Sequence, residues 1–346
     1  MPILHWLDRE DTLKVARETP YRLLEEDRSL SFGDAESQNL IVQGDNLAAL
    51  KALLPYYAGQ VKCIYIDPPY NTKSAFEHYD DNLEHAQWLH MMYPRLELLH
   101  LLLADDGVMF VQIDYREGAR LKIIMDEIFG SSCFKNEIIV RRGTKNVQSQ
   151  FETIDSLATG HDSIFLYAKN SATRLKKLQS LQEDPDPGKW DTFWRGTDRP
   201  TMRYELFGQN PTTGQWRWEK ERASRASKSY AHYCEEYADQ MTIDEYWGLI
   251  CQERGEKLDF VRLNESGTVQ YFVPPRSYKI LSDVWMDLST SGKFTDFPHE
   301  KHEELLARII NWATKENDIV LDSFLGSGTT ATVAHKMGRR YIGLAE

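Results

Sequence analysis

Of cysteine this chain of 346 residues has four, Cys63, Cys133, Cys234 and Cys251, spaced neither as pairs nor as a metal-binding set. That leaves no disulfide framework and predicts reduced thiols in a cytoplasmic protein. Long hydrophobic runs are missing too: the most apolar helix-like stretch, Leu96 to Ala104, is interrupted by Glu97 and His100 and ends at Asp105-Asp106. It is too short to cross a membrane, and no cleavable signal precedes the first charged residues. Basic charge is scarce overall, with a formal net charge of −12. Repeats, low-complexity tracts, a serine nucleophile elbow and a phosphate-binding P-loop are all absent. His78, His85, His90, His299 and His302 neither pair with cysteines nor form a metal-binding helix motif, so they read as surface or packing residues and no metal is expected. What remains is a 41% hydrophobic content, enough for a large core in one catalytic domain with an inserted one.

Two segments carry chemistry. Asp67-Pro68-Pro69-Tyr70 follows the apolar run Val61–Ile66 directly. A carboxylate at the end of a parallel strand lies in the crevice where open α/β sheets place their ligands. Asp67 and Pro68 each precede a proline and are pushed to extended geometry, while Pro68 and Pro69 have no N–H to donate. The loop therefore offers the Asp67 carboxylate and the Pro68 carbonyl as two stiff acceptors. An exocyclic amino group has two N–H donors to match them, and the Tyr70 ring gives a flat base something to stack on. The second segment is the turn Asp322-Ser323-Phe324-Leu325-Gly326-Ser327-Gly328-Thr329-Thr330, again behind an apolar run. Gly326 and Gly328 permit close backbone approach, and the helix opening near Thr329 offers free N–H groups and a positive dipole end to a carboxylate. Alone such a turn is also explained by generic nucleotide binding or tight packing.

Periodicity alternates strand and helix on both sides of a long interruption. Ile41–Gln43, Cys63–Ile66, Val108–Ile113 and Ile164–Ala168 read as strands, and Asn46–Leu54, Ala86–Leu103 and Glu117–Ile128 as helices. The alternation returns with helix Lys301–Lys315, strand Ile319–Leu321, helix Thr329–Met337 and strand Tyr341–Leu344. This is the pattern of an α/β doubly wound, mostly parallel sheet. Four parts follow: a charged, weakly amphipathic extension over 1–38 with no assignable chemistry, a catalytic half over 39–170, an insertion over 171–280 and a cofactor-binding half over 281–346. The insertion carries turn clusters and one short strand, Val269–Val273. Between 171 and 230 it has twelve Lys and Arg against eight Asp and Glu, a local excess of four in an acidic chain. Arg195, Arg199, Arg203, Arg217, Arg222 and Arg225, with Arg141, Arg142 and Lys145 just upstream, are the candidate DNA contacts, and Trp190, Phe193, Trp194, Tyr204, Trp216 and Trp218 accompany them.

The two motifs, in this order, resemble the β class of S-adenosylmethionine-dependent DNA amino-methyltransferases, whose catalytic motif precedes the cofactor motif. Residues 39–47 (Asn-Leu-Ile-Val-Gln-Gly-Asp-Asn-Leu) and 338–343 (Gly-Arg-Arg-Tyr-Ile-Gly) agree, and Tyr70-Asn71-Thr72 and Ile128-Phe129-Gly130 look most like the modification subunits of type III restriction systems. The resemblance covers roughly residues 39–170 and 281–346. It implies a circularly permuted class I methyltransferase-like fold with an inserted target-recognition region, and direct methyl transfer from S-adenosyl-L-methionine to adenine N6 in double-stranded DNA. It further implies that Asp67, Pro68, Pro69 and Tyr70 hold the flipped base. Asp45, Lys301, Asp322, Phe324, Gly326, Ser327, Gly328, Thr329, Thr330 and Glu346 would hold the cofactor, although Asp45 equally reads as the N-cap of the helix after it. Partners implied are a restriction subunit and a second copy in a homodimer. Cytosine N4 as the acceptor and a catalytically silent recognition subunit are the alternatives. Two positions depart from the family: His302 stands where proline usually follows the lysine, and Ala345 occupies the place of the ribose-binding acid, with a carboxylate one residue later at Glu346.

Overall fold

The apolar runs on either side of the insertion come together in one eight-stranded sheet. The computed structural model describes residues 2–71, 81–143, 156–255, 258–292 and 300–345. They divide into a unit built from Met1–Leu178 with Leu281–Glu346 and a second from Gln179–Ile280. In chain order the first holds α1 (Arg9–Glu18), β1 (Leu40–Gln43), α2 (Asn46–Tyr57), β2 (Val61–Ile66), α3 (Asp81–Leu102), β3 (Leu103–Ile113), α4 (Tyr115–Phe129), β4 (Phe134–Arg141) and β5 (His161–Ala168). After the insertion come β6 (Val284–Ser289), α5 (Glu303–Ala313), β7 (Ile319–Asp322), α6 (Thr329–Lys336) and β8 (Arg340–Ala345).

Across the sheet the order is β1-β8-β7-β2-β3-β5-β4-β6. Every neighbouring pair is parallel except the two made by β5. The chain winds outward in opposite senses from the centre: β7 leads through α6 to β8, and β2 leads through α3 to β3. Between β7 and β2, where Val320 pairs with Cys63 and Leu321 with Ile64, lies the switch point at which such sheets bind ligands. Strand periodicity feeds two apolar layers. Ile64, Ile66, Met109 and Val111 face a layer with Leu50, Met92, Leu96 and Ile124, whereas Cys63, Tyr65, Val108 and Phe110 face one with Leu305, Ile309 and Val333. Burial pushes the Cys63 thiol up to about 12, which makes it a packing residue.

Several expectations need correction. Strands β4 and β6 were not anticipated, because Lys135, Asn136 and Glu137 interrupt the apolar pattern of one and Met286 and Asp287 are exposed in the other. Helix α5 begins at Glu303, not Lys301: His302 is its N-cap, accepting from Glu304 N–H at 3.3 Å, and Lys301 forms an isolated bridge with Ser291 instead. It ends at Ala313, where the Thr314 hydroxyl donates back to the Ile310 carbonyl at 2.6 Å. The early part of the stretch 1–38, around α1, is anchored on the first unit. Lys51 Nζ of α2 is buried against the Ala16 carbonyl at 2.8 Å, Thr12 Oγ1 meets His90 Nδ1 at 2.8 Å, and buried Arg9 pairs with Glu127. Polar anchors of this kind leave little hydrophobic period to read. The second unit starts at Gln179 rather than 171, because Leu175 and Leu178 pack on the first unit's core and Trp312 Nε1 donates to the Lys176 carbonyl at 2.8 Å.

The second unit contains helices Lys220–Glu236 and Ile243–Arg254 and a three-stranded antiparallel sheet of Val261–Leu263, Val269–Val273 and Lys189–Thr192. Strands Gln179–Asp186 and Arg276–Ile280 pair as a ribbon. Its aromatic residues are mainly core. Phe193, Tyr204 and Trp216 are buried in one cluster, Tyr233, Tyr246, Phe260 and Phe272 in another, and Trp190 and Trp218 pack against them. Of the six aromatics expected to accompany the basic residues, only Trp194, at 43%, is exposed. Among the described residues no helix is long and apolar enough to cross a membrane.

Candidate active site

Strand β2 delivers Asp67 to the switch point, and the loop after it is fixed from several sides. Both Asp67 oxygens have donors: the Tyr70 hydroxyl at 2.6 Å on Oδ1 and Lys301 Nζ at 2.6 Å on Oδ2. Pro68 is buried, and Trp88 Nε1 donates to the Pro69 carbonyl at 2.6 Å. Asn71 takes a positive φ of 54°, a region asparagine tolerates better than most residues, and its amide donates to the buried Glu117 at 2.8 Å. His85 pairs with the same carboxylate. Burial, then the Asp67 charge, pushes the Tyr70 hydroxyl well above the ordinary tyrosine value, so it stays a donor.

Below this loop runs a buried polar chain. The Tyr65 hydroxyl donates to Gln112 Oε1 at 2.6 Å, and Gln112 Nε2 donates to Tyr70 Oη at 2.9 Å and Asp162 Oδ2 at 3.2 Å. Arg142 Nη1 lies 3.4 Å from Asp162 and 3.7 Å from Asp114. Burial raises the Asp162 carboxyl, and Arg142 and Lys301 oppose that shift.

The glycine turn forms the facing wall. Gly326 and Gly328 have φ of 54° and 82°, and a side chain on either would be strained. Gly328 is the N-cap of α6 and has no side chain with which to cap it, so the first-turn N–H groups remain available to a ligand. Ser323 is buried, lines the cavity and has a hydroxyl with no partner. These are the features a carboxylate-bearing nucleoside cofactor needs: a glycine cradle, an uncapped helix start and an unused buried hydroxyl. Asp45 is the N-cap of α2, accepting from Ala48 N–H at 2.9 Å, and pairs with Arg95 at 3.2 Å. Next to it Asn46 donates to the Ser323 carbonyl at 3.1 Å, tying α2 to the glycine turn.

Burial pushes the Asp322 carboxyl up to about 7, against hydrogen bonds from Thr330 Oγ1 at 2.6 Å and Phe324 N–H at 2.9 Å that lower it. A carboxyl raised in the folded state contributes stability below its unfolded pKa and loses that contribution as pH rises through the folded one. The parent should therefore lose up to roughly 4 kcal/mol between about pH 4 and pH 7. Asp322→Asn, uncharged throughout, should flatten that part of the profile in thermal unfolding. Curves that stay parallel over this range would show that Asp322 burial does not govern it.

One cavity of about 890 Å³ joins the two motifs, lined by Asp67–Asn71 on one side and Asp322–Ser327 with Thr329 and Thr330 on the other. Lys301, assigned through resemblance to the cofactor's methionine end, lines it too, but its ammonium is on Asp67. Arg142 is also in this wall, beside Asp162, rather than on an open surface. Arg141, Arg195, Arg199 and Arg225 are exposed and make no ion pair among the described residues. The other three arginines have partners within the second unit. Arg203 pairs with Asp198, Arg217 reaches the Thr192 carbonyl at 3.1 Å and lies over Tyr271, and Arg222 is bidentate on Asp259 at 2.6 and 3.1 Å. Lys145 and Glu346 lie outside the described residues. Sequence reasoning missed Tyr65, Trp88, Arg95, Gln112 and Asp162. Tyr65 and Gln112 sit inside apolar strand runs, and a buried glutamine flanked by Val111 and Ile113 was the one available signal.

Residues 61–346 match the profile of the N6_N4_Mtase family, described as DNA methylase. The chain is 30% identical over 370 residues to the probable type III restriction-modification enzyme HindVI Mod subunit of Haemophilus influenzae, covering 90% of this chain and 49% of that protein. It is 27% identical to the type III restriction-modification enzyme EcoPI Mod subunit of Escherichia phage P1, over 95% of this chain and 60% of that one. The chain thus spans about half the length of the curated relatives it matches. Among solved structures, PvuII DNA methyltransferase (cytosine-N4-specific) aligns with a TM-score of 0.48 and 13% identity, over 88% of this chain and 80% of that one.

Proposed function

We propose, for a chain that belongs to the N6_N4_Mtase family of DNA methylases, that it methylates the N6 amino group of adenine in double-stranded DNA with S-adenosyl-L-methionine as methyl donor. The observation that carries this reading is the single cavity lined by both Asp67–Tyr70 and the glycine turn. The cofactor supplies an electrophilic methyl group on its sulfonium. The chain's own residues do the rest. Ser323 Oγ, the glycine backbone and the start of α6 are placed to hold a carboxylate-bearing nucleoside. Asp67 and the Pro68 carbonyl accept the two amino N–H bonds of a base swung out of the duplex, and the Tyr70 ring stacks on it, worth ~1–3 kcal/mol against an unstacking cost of similar size. An amino nitrogen conjugated to the ring is a poor nucleophile, and two fixed acceptors favour its pyramidal, electron-rich form, which is preorganisation rather than covalent catalysis. An aspartate in the first motif position favours adenine over cytosine by resemblance.

Target recognition we assign to the unit Gln179–Ile280, on the exposed Arg195, Arg199 and Arg225 and the exposed Trp194. Phosphate contacts position and base contacts specify. A restriction subunit as partner rests on the type III Mod relatives. DNA from cells expressing the chain, read by methylation-aware sequencing, should contain N6-methyladenine within one sequence context. Exchanging residues 179–280 for those of a relative should move that context and keep adenine as the target. Methylated cytosine would reassign the substrate, and a working hybrid with the parent's context would place specificity outside the unit. An unmodified genome together with no measurable binding of S-adenosylmethionine would favour a silent recognition subunit.

A further inference from the structure

We infer that Gln112 is a positioning residue for the reaction, acting on Asp67 through the Tyr70 hydroxyl; this rests on the methyl-transfer reading above. Gln112 is fully buried in β3, and its amide has one consistent orientation. Asp162, whose Oδ1 faces Arg142 at 3.4 Å, can accept with Oδ2 only from Nε2, at 3.2 Å, which leaves Oε1 to the Tyr65 hydroxyl at 2.6 Å. The same Nε2 donates to Tyr70 Oη at 2.9 Å, so the proton of Tyr70 goes to Asp67 Oδ1 at 2.6 Å. Direction therefore runs one way along the whole chain, from Tyr65 to Gln112 to Tyr70 to Asp67. A hydroxyl that accepts one hydrogen bond is a stronger donor of the next. With Lys301 on the other oxygen, Asp67 is gripped at both ends while it lines the cavity. Gln112 is not among the described residues that line the cavity, so it acts through Tyr70. It sets the angle at which Asp67 meets the amino group.

A double-mutant cycle separates this role from mere packing. Gln112→Met keeps length and removes both polar ends, whereas Tyr70→Phe keeps the stacking ring and removes the hydroxyl. Gln112→Met should lower kcat about tenfold and leave the affinity for S-adenosylmethionine unchanged. In the Tyr70→Phe background the same substitution should cost less than twofold, since the atom through which it acts is gone. Tyr65→Phe, which folds without loss of volume, should give a smaller loss that likewise vanishes beside Tyr70→Phe. Equal losses in both backgrounds would overturn the proposal. Should the parent prove unable to methylate DNA, the functional reading falls by itself. The same four proteins compared by thermal unfolding still decide the matter, because independent Tm shifts would show that Gln112 does not act on Tyr70.

Discussion

Asp67→Ala should eliminate methyl transfer from a protein that still binds its cofactor. The carboxylate stands on the Asp67–Tyr70 side of the cavity, with the glycine turn opposite, so its loss removes an acceptor for the amino group and leaves the cradle of Gly326, Gly328 and Ser323 untouched. One preorganised electrostatic contact to a reacting group is worth ~10²–10³ in kcat. Here the loss should be larger, because Tyr70 and Lys301, both aimed at Asp67, lose their common partner and the loop its anchor. Asp67→Asn is the control for shape: it keeps one acceptor oxygen but turns a donor toward Tyr70 or Lys301, and should recover little activity. The measurement is single-turnover transfer of a labelled methyl group alongside calorimetric titration with S-adenosylmethionine. Cofactor affinity falling in proportion to activity would place Asp67 on the cofactor instead of the base.

What the sequence made legible and what it hid divide along physical lines. Asp67 and Asp322 could be located because each follows an apolar run that has to be a buried strand, and because prolines and glycines have few other reasons to cluster there. The alternation around them was enough for a doubly wound sheet. That Lys301 also meets Asp67 could not be read, because the two are 234 residues apart in sequence and no local period encodes their approach. Gln112 and Tyr65 were invisible for the opposite reason: inside a buried strand a polar side chain looks like a defect in a hydrophobic pattern until its partners are known. The aromatics of the second unit were misjudged because stacking on bases and filling a small core require the same residue types.

Gly326→Val should act in reverse, removing cofactor binding first and transfer as a consequence. Gly326 has a φ of 54°, where a β-branched residue costs about 1–3 kcal/mol in backbone strain, and it is exposed at the cavity wall. The loop relieves that strain by leaving its left-handed turn. Its neighbours then lose their places, since Gly328 N–H bonds the Leu325 carbonyl at 3.0 Å and Leu325 N–H bonds the Leu344 carbonyl at 3.1 Å. The N-terminus of α6 and the Ser323 hydroxyl would no longer converge on one ligand, and affinity for S-adenosylmethionine should fall ~10–100-fold. Base binding should suffer less, because the Asp67 loop has its own anchors in Trp88, Glu117 and Lys301. Calorimetry on the folded variant measures the first effect, and fluorescence of a 2-aminopurine placed at the target position measures the second. A folded Gly326→Val protein with parental cofactor affinity would show that the turn serves packing between β7 and α6, and the cofactor would then have to be sought on another part of the cavity wall.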